Sequence, residues 1–181
     1  MFNFFKKGEN NRGTPPVSER FVQLRSIIFN TDPASQDIKP TDELPNVWAV
    51  LIEVSSESPR LTITLRTLAD GSTSIYASEG AAFINIGDLP EIADVAKHVL
   101  PSAEKVIAIA QSTTDFPIPA IGTVNFYIFT YSGVLMKNIE EEDLINNDQP
   151  FGRLYRAFRE ILHRNRLLRE RFPEKYASIM Q

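Results

Sequence analysis

The chain has 181 residues, a net charge of −4 and no cysteine. With 43% apolar and 23% charged residues it has the balance of an ordinary globular domain, long enough to bury a core without staples. The lack of cysteine excludes disulfides, thiolate catalysis, cysteine-ligated zinc and iron–sulfur clusters, and it suits a reducing cytoplasm.

Residues 1–17 read as a flexible tail, because Gly, Asn and a Pro-Pro pair stop any regular element. Phe2, Phe4 and Phe5 stand beside Lys6 and Lys7 at its start. Such a segment can stay loose or pack on its own domain, dock onto a partner, or touch an anionic membrane weakly. Its charges precede too little apolar sequence for a signal peptide, which needs a stretch of about 7–15 residues. Residues 18–181 read as one domain.

The spacing of Phe21, Leu24, Ile27 and Ile28 predicts an amphipathic helix over 18–29, with Ser18 as its cap. "NTDPASQDIKPTDELP" then reads as a long loop, a kind that is often functional or mobile. "VWAVLIEV" (47–54) is apolar on both faces, as in a strand covered on both sides. It holds the longest apolar run, Val47 to Ile52, far short of the about 20 residues that cross a membrane. "RLTITLRTL" (60–68) alternates, with Leu61, Ile63 and Leu65 on one side and Thr62, Thr64 and Arg66 on the other. Asp70-Gly71 predicts a tight reverse turn into a strand over 72–78.

"EGAAFINIG" is a glycine-bounded connector. Asp88, Pro90 and Glu91 come close to a capping box for the next helix, whose apolar face is Ile92, Val95, Ala96 and Val99. Pro101 should break or kink that helix. "SAEKVIAIAQ" resumes helically, with a strand as the alternative for "VIAIA". "TVNFYIFTYSGVLMKN" reads as a hairpin turning near Ser132-Gly133, and "EEEDLINNDQP" as an acidic connector. A last helix over 151–172 carries the stripe Leu154, Phe158, Ile161, Leu162, Leu168 and Phe172, and Pro173 ends it. The order α, three strands, α, two strands, α implies an α+β fold: an antiparallel sheet of about five strands with helices packed on it. Profilin-like, roadblock-like and GAF-like sheets share that layout.

Few constellations carry chemistry. His98 lies off its helix's apolar stripe, four residues after Asp94, a spacing that suits a solvated ion pair. His163 sits among arginines. No histidine spacing suits a metal, and no Gly-x-Ser-x-Gly, Gly-x-Gly-x-x-Gly or P-loop is present, so neither metal nor cofactor is expected. The loop holding Gly80 and Gly87 runs into a helix start, but Asp88 and Glu91 there would repel an anion. Glu53 is the one carboxylate inside an apolar run. If buried it can act as an acid or base; otherwise it emerges into solvent or meets Arg66. Glu53, Gly80 and Gly87 thus form the candidate pocket.

Charge is unevenly spread. Residues 151–172 hold seven Arg and two Glu, whereas 21–150 hold seven Lys or Arg and eighteen Asp or Glu. A basic helix therefore rides on an acidic body. Arginine density suits phosphate, but the aromatics are not interleaved for base stacking and the body would repel a polyanion. The expected arrangement pairs the arginines with the protein's own acids, such as Glu140, Glu141, Glu142 and Asp143, and leaves a partner protein as the next reading.

The segments "VWAVLIEV", "TLRTLADGSTSIYASEG", "GDLPEIADVAKHVL" and "GTVNFYIFTYSGVLM" resemble a group of uncharacterised bacterial proteins that share a Leu-Ala-Asp-Gly-x-Thr-Ser-x-Tyr hairpin. The resemblance spans roughly residues 45–145. It implies a bacterial cytoplasmic protein and carries no activity, cofactor or site residue. The expected function is a non-catalytic protein-interaction or regulatory module. Its contacts would be Phe2, Phe4, Phe5, Arg156, Arg159, Arg164 and Arg166, to a protein partner or a second copy, with nucleic acid disfavoured and membrane contact weak. The alternatives are a small hydrolase or transferase using carboxylates and hydroxyls, and a ligand-sensing domain.

Overall fold

The structure is a computed structural model that describes residues 13–146 and 149–174. Phe2, Phe4 and Phe5 lie outside the described residues. The fold is α+β and is built on one antiparallel sheet. The sheet has seven strands, not about five: β1 (Val47–Glu57), β2 (Arg60–Leu68), β3 (Thr73–Ala77), β4 (Ala82–Phe83), β5 (Gln111–Thr113), β6 (Thr123–Thr130) and β7 (Gly133–Glu140). Their order across the sheet is β4-β3-β2-β1-β6-β7-β5. The two extra strands are short edge pieces that sequence periodicity is too brief to mark.

β1 is central, paired with β2 on one side and β6 on the other. It is buried from Val47 to Ser55, as its two-sided apolar pattern requires. One face of the sheet carries Val50, Ile52, Leu65, Ile75, Val124, Phe126 and Ile128. On it pack α2 (Pro90–Ala96), α3 (Val99–Glu104) and α5 (Gly152–Arg171). The other face carries Ala49, Leu51, Tyr76, Tyr127 and Phe129, under α1 (Glu19–Phe29). Between α1 and β1 the chain makes a short 3-10 turn at Pro33–Gln36.

Ser18 caps α1 by accepting from the Phe21 amide at 3.2 Å. The chain before it does not leave the domain at residue 18: Pro15 is buried, and the Gly13 carbonyl accepts from the Ile121 amide at 3.3 Å.

Four local expectations are corrected. Asp88 does not cap α2; the cap position is Leu89, with no side-chain bond, because Ile86–Asp88 is a 3-10 turn. The break expected at Pro101 falls earlier, at Lys97 and His98 between α2 and α3, and Pro101 itself lies in the first turn of α3, where its missing N–H costs nothing. The helix expected to continue past residue 104 stops at Glu104. Its carboxylate accepts from the Asn46 and Val47 amides at 2.8 and 2.7 Å, tying α3 to the start of β1. The chain then runs through a 3-10 turn into β5, recruited by the open edge of β7. Lastly, the acidic connector forms α4 (Glu141–Asn146), where Leu144 is buried and three acids occupy the first turn, favoured by the helix dipole.

The β2–β3 turn holds Gly71 at φ +87°, the conformation expected of Asp-Gly. Gly87 supports it from outside: a Cβ there would meet the Gly71 carbonyl oxygen at 2.3 Å and the Thr73 nitrogen at 3.0 Å, both backbone atoms that cannot swing aside. Gly87→Ala is expected to destabilise the fold by about 1–3 kcal/mol through overpacking. Chemical denaturation is the check, and an unchanged midpoint would show that the hairpin gives way freely.

Candidate functional site

Glu53 lies between Thr64 of β2 and Asn125 of β6 in the sheet register, on the face under α1. It is fully buried. It neither emerges into solvent nor meets Arg66. Arg25 of α1 reaches down to it instead, placing Nε 2.7 Å from Oε1 and Nη2 2.9 Å from Oε2. Thr64 donates its hydroxyl to Oε1 at 3.1 Å. The guanidinium is sandwiched further, 4.8 Å from the Phe29 ring centroid and 5.7 Å from that of Tyr127. Burial alone would lower the Arg25 pKa, but the hydrogen bonds and charge of Glu53 more than offset it and hold it above the usual value.

The Pro117 carbonyl is the second hub of this seam. It accepts from Arg25 Nη2 at 3.2 Å, Asn125 Nδ2 at 2.9 Å and the Tyr127 hydroxyl at 2.5 Å. Asn138 of β7 extends the network, donating to Asn125 Oδ1 at 2.6 Å and Thr123 Oγ1 at 3.1 Å. On the other flank Ser55 and Thr62 share a hydroxyl pair at 2.7 Å. The seam thus crosses four strands and ties α1 and the loop at residue 117 to the sheet. Chemically it is a lock. Both Glu53 oxygens are occupied, and the side chain is fully buried.

The expected pocket residues do not converge. Gly80, at φ +107°, sits against Ser18 and Arg20 at the start of α1. Gly87 lines a different cleft of about 350 Å³, between the β2–β3 turn and α2–α3, with Glu43, Asp70 and Lys97 among its walls. Glu53 lines neither that cleft nor the groove of about 700 Å³ beside α1, where Thr14, Val22, Arg25, Phe29, Phe116 and Ile118 meet. Among the described residues, no group of His, Asp and Glu could hold a metal ion. No described helix is long and apolar enough to cross a membrane.

The arginines of α5 lie around its solvent side, outside the buried stripe. Leu154, Tyr155, Phe158, Ile161 and Asn165 are buried, while Phe172 of the expected stripe stays 43% exposed past the last turn. Arg153, Arg156, Arg159, Arg166, Arg169 and Arg171 are exposed. The ion pairs of Arg164 and Arg166 run to other acids. Arg164 binds Glu160 at 2.6 Å and Asp94 of α2 at 3.7 Å, and donates to the Glu91 carbonyl at 2.8 Å. Arg166 lies 3.9 Å from Glu170. Asp94, expected opposite His98, takes Lys97 at 2.7 Å. That bond, then the charges of Lys97 and Arg164, holds its carboxyl below the usual range. Glu141 accepts from the buried Tyr155 hydroxyl rather than from an arginine. Arg169 lies 4.5 Å over the Phe83 ring and Arg159 lies 5.9 Å over Tyr155.

Comparison of the chain with protein-family models, curated proteins and solved structures finds no match.

Arg25 is the residue that reading the sequence missed. The signal was present: position 25 follows Phe21 by four and precedes Ile28 by three, which places it on the buried stripe. A charge there needs a buried partner, and Glu53 was the only carboxylate in an apolar strand.

Three tyrosines are buried, Tyr76 and Tyr127 under α1 and Tyr155 on the opposite face of the sheet. Burial pushes Tyr76 up to about 12, with Arg66 opposing and Glu53 reinforcing the shift. Burial and then the Glu53 charge raise Tyr127, with Arg25 opposing. Burial and the bond to Glu141 raise Tyr155. The fold therefore favours the neutral phenols, and an unfolded chain ionises them near pH 10. Their stabilisation is complete below about pH 10 and is lost as pH rises toward the raised values. Titration by ultraviolet difference absorbance should show these tyrosines ionising together with loss of the fold. Independent titration in the folded state would contradict the burial.

Proposed function

We propose that this protein is a non-catalytic interaction module whose α5 face binds an acidic surface on a partner protein. The observation that carries the reading is the row of Arg153, Arg156, Arg159 and Arg166 on a helix of twenty residues. Arg153 and Arg156 are in no ion pair with a described residue, although the body of the chain is rich in acids. The helix is held by a buried apolar stripe, so its arginines are presented in fixed relative positions at little ordering cost. Arginine in such a setting forms bidentate contacts to carboxylates.

An acidic protein fits better than nucleic acid. Residues 21–150 carry eighteen acids against seven bases, and the α5 aromatics are turned inward or lie at the helix end. The acid–base alternative rested on Glu53, whose oxygens are both engaged. The setting proposed is a bacterial cytoplasm, which rests on the hairpin resemblance and the lack of cysteine.

The triple change R156E/R159E/R166E tests this. Each site is exposed, so stability should move by only about 0.5 kcal/mol per site. Affinity for a partner captured by cross-linking should fall about tenfold or more, and wild-type binding should weaken with salt. Undiminished capture would overturn the reading. Loss of binding to duplex nucleic acid but to no protein would favour the polyanion instead.

A further inference from the structure

The groove beside α1 and the phenylalanine segment are left unused by that reading, and they belong together. The groove runs between α1 and residues 116–118, with Val22, Phe29, Phe116 and Ile118 as apolar walls. Val22 is 49% exposed, which leaves a large apolar side chain facing solvent. Arg25 forms part of the floor, but Glu53 neutralises it, so the groove carries little net charge there. Thr14 lines the same groove. The described chain therefore begins at the groove's edge, one residue before Thr14.

We propose that this groove seats the chain's own segment 2–7, with Phe4 and Phe5 against the apolar walls. Three facts select this occupant. The eight residue steps from Phe5 to Gly13 can span about 27 Å, so the tether is ample. The segment supplies Phe2, Phe4 and Phe5, and no other apolar residue follows before Val17 apart from the prolines. Charge also matches. Glu19 precedes Val22 by three residues on the same face of α1, and Asp115 adjoins Phe116 on the opposite wall. Both acids are exposed and in no ion pair among the described residues, and Lys6 and Lys7 follow the phenylalanines. An intramolecular ligand also needs little affinity, because a short tether holds it at millimolar effective concentration.

The lack of cysteine makes the test clean. Asn3→Cys is paired either with Ser26→Cys, which lines the groove, or with Ile27→Cys, which is exposed but does not line it. All three phenylalanines stay in place. In glutathione buffer the Ser26 pair should close an intramolecular disulfide about tenfold faster than the Ile27 pair. Adding F2S/F4S/F5S should bring the two rates together. Equal rates before that change would overturn the proposal and leave a foreign partner or lipid as the target of the segment. Disulfide-linked dimers that form faster with rising protein concentration would overturn it in favour of a second copy.

Discussion

One buried ion pair organises one side of this molecule. Arg25 and Glu53 are 28 residues apart in sequence and meet in a bidentate contact under α1. Removing two charges from water is costly, so such a pair persists only where further bonds satisfy the remaining sites. Here Thr64 completes the carboxylate, while the Pro117 carbonyl and two rings complete the guanidinium. The pair thereby fixes three things that hydrophobic burial leaves loose: the rotation of α1, its position along β1, and the closeness of the 116–118 loop. The groove beside α1 exists because those elements are held at that spacing.

The two faces of the sheet divide the work. One is mostly apolar and takes α2, α3 and α5, so α5 can bury its stripe and turn its arginines outward. The other mixes Phe21, Ile28 and Trp48 with a polar seam of Ser55, Thr62, Thr64, Glu53 and Asn125. A mixed face is poor at non-specific packing and good at choosing a single docking geometry, because each polar group is costly unless its own partner arrives. The proposed contact surfaces lie on the outer sides of the elements so held, not in the seam.

How much of this was legible depends on the range of the interactions. α1, the β1–β2–β3 meander and α5 follow from local patterning: the stripe with its Ser18 cap, the two-sided apolar run and the Asp-Gly turn. Several of the misses are long-range. Glu104 stops α3 because it binds the backbone at Asn46 and Val47, a contact that no local propensity contains. β5 is a strand because β7 offers an edge. Thr62 and Thr64, on the polar side of the β2 alternation, are buried because their hydroxyls meet Ser55 and Glu53 of the neighbouring strand. For the site, the face of α5 was readable from arginine density, but its ion partners were not. Glu53 stood out by chemistry, and its partner, Arg25, lay on an element already predicted but went unread there.

Arg25 and Glu53 act as one coupled unit, and a double-mutant cycle measures that coupling. Arg25→Met and Glu53→Leu, alone and together, are unfolded by urea. Each single change should cost about 3–5 kcal/mol, since it leaves a buried charge alone, while the double change should recover most of the loss. Additive losses would mean that the two residues stabilise the fold independently, and that α1 is held by its apolar side chains alone.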